Sequence, residues 1–413
     1  VVNTQFSSIV TQNFGQLPEN EMRISDLFIS ISRALDMGKI EILDHSSRVA
    51  YISLELANYL EFNKKEINKL VLTSLINNIG IMSVEEKRII KNNFQLNEKF
   101  IERQSRNGAN LLKKINFLPN IDNIILYSHH KWNGDNFDNV KEKKIPLASR
   151  IIFLADRIES LISEEKYILF QVDRILNKIK EKSGEWFDPD LVKAFLKLAK
   201  KESFWLNLET KEYNNILEEW GKETQIKINL KNLESLATIL AHLIDRISPF
   251  TSRHSTGVST IAAMLTHELG YEELEQRVIR IAGLFHDLGK LIIPAEIIEK
   301  EAELTDKEYK IIKQHSYYTY RLLKKIRGLG SMPEWAAFHH ERLDGSGYPF
   351  RFSSEDINIG SRIMAVSDVF QALTEDRPYR SAFTISKALE IMEEMVENNK
   401  IDENIFLTLK QSI

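Results

Sequence analysis

"IAGLFHDLGKLIIP" (281–294) and "VLTSLINNIGIMSV" (71–84) share one frame: an apolar segment, a polar pair, Gly, and a second apolar segment. In the later copy the pair is His286-Asp287, and in the earlier it is Asn77-Asn78. Outward from this frame the likeness continues in register. "DHSSRVAYISLEL" with His45 parallels "RHSTGVSTIAAML" with His254, 209 residues on, the separation that also relates Asn77 to His286. "NLLKKI" with Leu111 matches "RLLKKI" with Leu322, and His129-His130 match His339-His340. "ASRIIFLADRIESL" with Asp156 matches "GSRIMAVSDVFQAL" with Asp368, and "FDPDLVKAFLKLA" near Asp188 resembles "IDENIFLTLKQSI" near Asp402. The offset creeps only from 209 to 214, so the chain reads as a tandem duplication. The expected organisation is a first domain over 1–200, a charged helical connector over 201–230, and a second domain over 231–413.

The segments around these matches are helical. "LESLATILAHLIDRI", "EYKIIKQHSYYTYRLLKKI" and "KALEIMEEMVENN" place apolar residues three and four apart, and no long stretch alternates with period two. With only 16 Gly and 9 Pro to interrupt 413 residues, the expectation is an all-α protein of two tandem helical bundles. A net charge of -4 offers no global attraction to a nucleic-acid polymer. The absence of Cys excludes disulfides, zinc-thiolate sites and iron–sulfur clusters, and fits a cytoplasmic location. No apolar run approaches the roughly 18 residues that a membrane span requires. The opening "VVNTQFSSIV" has no initiator Met, as expected of a trimmed end with further sequence upstream.

The second copy collects His254, His286, Asp287, His315, His339, His340 and Asp368. An adjacent His-Asp pair between apolar turns is costly to bury unless something offsets its polarity, and a divalent cation does so. Imidazoles and carboxylates without thiolates suit Fe, Mn, Ni, Co or Zn. Seven ligands exceed the needs of one ion with open positions, so two ions are the economical count. Paired ions about 3.5–4 Å apart activate water for in-line attack on phosphorus, which points to hydrolysis of a phosphate ester.

"HDLGK", "HHERLDGSGYP" and "SDVFQALTEDRPYR", in this order and with His254 upstream, resemble the HD-GYP family, a branch of the HD phosphohydrolase superfamily. The resemblance covers about 180 residues of the second copy. It implies a helical bundle that hydrolyses cyclic dinucleotides, typically cyclic di-GMP, to the linear dinucleotide or GMP. It also implies that His254, His286, Asp287 and Asp368 hold one ion, and that Asp287 bridges to a second held by His315, His339 and His340. Lys290, a turn beyond His286, would face the same cleft and contact the scissile phosphate or support the leaving group. Arg377 and Arg380 of "RPYR" would converge on phosphate. Gly345 and Gly347 give the "DGSGYP" loop tight geometry, with Gly347 and Tyr348 at the substrate and the Tyr348 ring available for stacking. Expected partners are the cyclic dinucleotide, and a second copy of the chain or other signalling proteins.

Three positions depart from the family pattern. Phe250 stands where some members carry a Glu that holds a third metal. Thr319 replaces a Gly behind His315, where its bulk is expected to crowd the helix. Gln371 replaces an Asp three residues after Asp368. In the first copy His45, His129, His130 and Asp156 survive, but Asn77, Asn78, Ile81 and Gln104 stand for His286, Asp287, Lys290 and His315. A neutral Asn78 cannot bridge two cations; the four surviving ligands could hold one weak ion, but the copy reads better as a metal-free scaffold whose Asn and Gln satisfy hydrogen bonds in the cleft without a metal's charge. Two other functions fit the same residues: hydrolysis of another nucleotide, and a binding or interaction module with little turnover.

Overall fold

The computed structural model of the chain describes residues 14–19, 21–37, 44–81, 98–224, 226–247, 254–298, 300, 302–376 and 380–413. The all-α expectation is met: among these residues the only strands are the dipeptides Met22–Arg23 and Lys227–Ile228. No helix among them is long and apolar enough to cross a membrane.

The first unit contains α1 (Ile24–Met37), α2 (His45–Tyr59), α3 (Lys64–Leu75), α4 (Glu98–Leu112), α5 (Ile121–Leu126), α6 (Leu147–Ser160), α7 (Val172–Glu181), α8 (Pro189–Leu198), α9 (Glu202–Glu209) and α10 (Tyr213–Glu223). The second contains α11 (Leu230–Ile247), α12 (His254–Glu268), α13 (Glu273–Phe285), α14 (Ala295–Ile298), α15 (Asp306–Ile312), α16 (Gln314–Leu323), α17 (Met332–Ala337), α18 (Ile359–Thr374), α19 (Ile385–Glu397) and α20 (Glu403–Ser412). The duplication is visible element by element, α2 against α12, α4 against α16, and α6 against α18.

Repeated polar residues explain part of the repeated frame. Asp188 caps α8 by accepting from the Asp190 N–H at 2.9 Å, and Asp402 caps α20 by accepting from the Ile405 N–H at 3.2 Å. Each cap also holds an Arg at the fourth position of its unit's central helix, Arg150 with Asp188 and Arg362 with Asp402. Ser149 and Ser361, just before those arginines, donate to carbonyls of α5 and α17 at 2.8 and 3.1 Å. The "SR" dipeptide and the late Asp thus tie helices together and carry no chemistry. Between them α6 and α18 present Ile151, Ile152, Leu154 and Ile363, Met364, Val366 fully buried, as a helix surrounded by its own bundle must.

Unit boundaries differ from the expectation. The first compact unit is 23–226, and the second joins 227–413 with the chain up to Met22. Residues 201–226 are no connector. Phe204, Trp205, Leu208 and Tyr213 belong to the first unit's core with Tyr51 and Phe195, and Tyr213 donates to Asp44 at 2.9 Å. Their charged neighbours merely coat the outer face. At the other end Phe14 packs on Tyr271 and Trp335, with ring centroids 4.7 and 4.9 Å away. Gln16 and Ser331 exchange backbone and hydroxyl hydrogen bonds at 2.7 and 2.9 Å.

Candidate metal centre

Five short stretches deliver the seven expected ligands of the second unit to one place. His254 opens α12, His286 and Asp287 close α13, His315 sits in the first turn of α16, His339 and His340 follow α17, and Asp368 lies midway along α18. All except His340 are buried.

Backbone carbonyls fix three of the imidazoles. The Nδ1–H groups of His286, His315 and His339 donate to the carbonyls of Gly283, Ile312 and Ala336 at 2.7, 2.7 and 2.8 Å, each three residues earlier. Their Nε2 atoms are therefore lone pairs aimed inward. The Nε2 atoms of His315 and His339 lie 3.3 Å apart. Among the described residues His286 Nε2 has no hydrogen-bond partner, and it faces Asp287 Oδ2 at 3.1 Å. Acceptors confronting acceptors in a buried site need a cation between them. Burial lowers His315 to about 4 and His339 to about 3, and it also drives His340 down, so all three are neutral and ready to ligate. Burial opposes ionisation of Asp287 and Asp368, but facing His286 and Lys290 in one case, and His254 and His340 in the other, hold both well below the usual carboxylate range.

The donors fall into two sets, His254 with His286 and Asp287, and His315 with His339 and His340, the ligand atoms of each set lying within 4.8 Å of one another. Asp287 reaches both. Its Oδ2 is 3.1 Å from His286 and 3.8 Å from His254, while Oδ1 is 3.4 Å from His315. Asp368 also divides, with Oδ1 3.2 Å from His254 and Oδ2 3.8 Å from His340. These residues fit a pair of divalent cations.

A cavity of about 480 Å³ opens over this floor. Lys290 borders it and binds Asp287 Oδ2 at 2.6 Å. Tyr348 borders it with its ring 4.8 Å from that of His340. Arg380 lines it too, but spends its guanidinium on the Ala372 and Leu373 carbonyls that end α18, at 2.8 and 3.3 Å. Arg377 and Phe250 lie outside the described residues. Gly347 is not among the residues lining the cavity. A Cβ there would stand 2.3 Å from the Arg342 nitrogen and 2.5 Å from Glu341 Cα, so Gly347 allows the loop to close on its own backbone, beside Gly345 at φ 76.

Thr319 does not crowd its helix as expected. Its hydroxyl accepts from the Gly289 N–H at 2.9 Å and donates to the His286 carbonyl at 3.1 Å, stitching α16 to the His-Asp turn. Gln371 lies against Gly257 and lines another groove, with Thr260 and Arg280. Two features escaped the motif reading. The apolar run "LIIPAEII" after Lys290 supplies Ile293, Ile297 and Ile298 as a cavity wall, continued by Leu304, Tyr309 and Ile312. Glu375 accepts from His254 Nδ1 at 3.0 Å, at a spacing that no motif marks.

The HD domain profile matches this chain twice, over residues 30–191 and 238–405. The chain belongs to the HD domain family. It is 30% identical over 402 residues to the 3′3′-cGAMP-specific phosphodiesterase 1 of Vibrio cholerae, covering 94% of this chain and 91% of that protein. To the 3′3′-cGAMP-specific phosphodiesterase 3 of the same organism it is 27% identical over 445 residues, covering 96% and 95%. A cyclic di-GMP phosphodiesterase of Pseudomonas aeruginosa is 33% identical over 165 residues, 40% of this chain and 39% of that protein. A solved cyclic GMP-AMP specific phosphodiesterase of V. cholerae superposes with a TM-score of 0.66 at 25% identity, covering 95% of this chain and 97% of that one.

The first HD unit closes its equivalent site with protein charges. Asp156 is fully buried and accepts from the Arg157 guanidinium and from His45 Nε2, the latter at 3.1 Å. His45 Nδ1 meets Glu159 Oε2 at 2.5 Å. Burial disfavours a charged His45, yet Glu159 and Asp156 outweigh it and raise the imidazole to about 10. Arg157 stands where the second unit has Val369. Gln104 takes the place of His315 and donates through its Nε2 to Asn78 Oδ1 at 3.0 Å and His129 Nε2 at 3.3 Å. The expectation that the amides here are satisfied fails at Asn77 and at Gln104 Oε1: among the described residues neither amide atom of buried Asn77, nor that oxygen, has a hydrogen-bond partner.

Proposed function

We propose that the second unit is a metal-dependent phosphodiesterase of the HD-GYP type that opens cyclic dinucleotides. The observation that carries this reading is the division of Asp287 between two His sets at the floor of a 480 Å³ cavity, of the size that takes a small organic ligand. Two divalent transition-metal ions, when bound by the seven side chains, would supply Lewis acidity at phosphorus and an activated water. Asp287 would hold the two donor sets at a fixed separation. Lys290 brings an ammonium to the cavity beside Asp287, where it would neutralise charge on the phosphate or the departing oxygen. Tyr348, with Lys313 5.1 Å above its ring, and the Ile293–Ile312 wall would receive a base by stacking and apolar contact.

Cyclic di-GMP is the family's typical substrate, but 3′3′-cGAMP is the better-supported choice for this chain. Two relatives that match nearly the whole chain are cGAMP-specific phosphodiesterases, whereas the cyclic di-GMP phosphodiesterase of P. aeruginosa matches about two-fifths of the chain. Product chromatography after incubating the metal-loaded chain with 3′3′-cGAMP, cyclic di-GMP and cyclic di-AMP tests both levels. Faster opening of 3′3′-cGAMP is expected. Faster opening of cyclic di-GMP overturns the substrate, and no product from any of the three overturns the enzyme.

A further inference from the structure

The two units support their first histidine from different places. His45 and His254 each open their helix, and each hands its Nδ1 proton to a carboxylate side chain. The other three buried histidines of the second site use a backbone carbonyl three residues earlier. In the first unit the carboxylate is Glu159, three residues after Asp156. The matching position in the second unit, three after Asp368, holds Gln371, which packs against Gly257. His254 is instead met by Glu375, four residues further on, where the chain leaves α18 in an extended conformation.

We propose that Glu375 is the positioning residue for His254, a carboxylate displaced by one helical turn from the place Glu159 keeps in the first unit. By accepting Nδ1–H it selects the tautomer whose Nε2 lone pair faces Asp368 and Asp287, 3.2 and 3.8 Å away, and it makes that nitrogen a stronger donor toward a cation. Gln371 can be neutral because its former task has moved. Gly257 leaves room for it: any Cβ there would stand 2.3 Å from the Gln371 amide. The inference rests on His254 being a metal ligand, and the experiment tests the two separately.

The full chain is loaded with Co(II), and affinity is read by chelator competition, ligand geometry by visible absorption, and folding by thermal melting without metal. The variants are His254→Ala, Glu375→Ala, Glu375→Gln and the double change Gln371→Glu with Glu375→Ala. Removing an outer carboxylate from a metal-bound His costs about 10- to 100-fold in affinity, so Glu375→Ala is expected to lose that much for one ion and to alter the absorption band. Glu375→Gln keeps an acceptor and should fall between it and the wild type. The double variant should recover affinity, because the carboxylate returns to the position from which Glu159 serves His45. Wild-type affinity and spectrum in Glu375→Ala overturn the proposal. So does a loss that the double variant leaves unrepaired and that parallels a lower metal-free melting temperature, since Glu375 is then structural. Undiminished Co(II) binding by His254→Ala removes the ligand reading itself, and the inference with it.

Discussion

At the scale of single residues, the two HD units solve one electrostatic problem in two ways. Each buries an Asp on its central helix among imidazoles. In the second unit Asp368 faces lone pairs that call for cations. In the first, Asp156 is neutralised by Arg157 and His45, with Glu159 balancing the surplus. Arg157 is 0% exposed, so Arg157→Ala would strand a buried carboxylate beside a second one. Breaking a buried pair in this way costs about 3–5 kcal/mol, and urea denaturation followed by a probe in the first unit should register a loss of that order. A change near zero would mean that Arg157 is dispensable to the closure. Restoring ligands at Asn77, Asn78 and Gln104 alone would leave the Arg157 guanidinium still paired with Asp156.

At the scale of elements, the turn after the polar pair is held by a glycine in both units. A Cβ at Gly289 would stand 2.0 Å from the His315 carbonyl, and one at Gly80 would stand 2.0 Å from the Gln104 carbonyl. Either substitution to Ala must push the turn off the helix it abuts, α16 for Gly289 and α4 for Gly80, at a cost of about 1–3 kcal/mol by the usual scale of overpacking. The consequences should differ. Gly289→Ala moves Asp287 relative to His315 and should weaken metal binding as well as stability. Gly80→Ala should lower stability and leave metal content unchanged. Equal metal loss in both would show that the first unit's turn also supports the site. The frame "H-D-x-G" was legible in the sequence because its polar pair, Gly and apolar flanks each leave a distinct chemical trace. So was the gathering of the seven candidate ligands around one cavity floor, because His and Asp have few other uses in an apolar helix. Glu375 and Arg157 were not. One is a Glu among many at a helix end, and the other is an Arg that reads as solvated until its burial is seen.

At the scale of the whole molecule, the tandem organisation was legible but its boundaries were not. Helix periodicity in 201–226 is masked by Lys and Glu on the exposed face, although Phe204, Trp205 and Tyr213 complete a core. Residues 14–19 show no periodicity, because they join the second unit as an irregular strap. Phe14 is 7% exposed between Tyr271 and Trp335. Truncating a buried Phe to Ala costs about 3–5 kcal/mol, so Phe14→Ala should destabilise the second unit by an amount approaching that range. A fragment beginning at 227 should show the same defect. An unchanged melting temperature in both would show that the strap adds nothing.

The central claim is that chemistry belongs to the second HD unit alone and passes through the carboxylate shared by its two donor sets. Turnover of 3′3′-cGAMP by the metal-loaded full chain, measured together with bound metal per chain, tests it directly when Asp287→Ala is set beside Asn78→Ala. The expected result is two ions and turnover in the wild type, neither full metal content nor product in Asp287→Ala, and wild-type behaviour in Asn78→Ala. Turnover that survives in Asp287→Ala, or that disappears in Asn78→Ala, would contradict it.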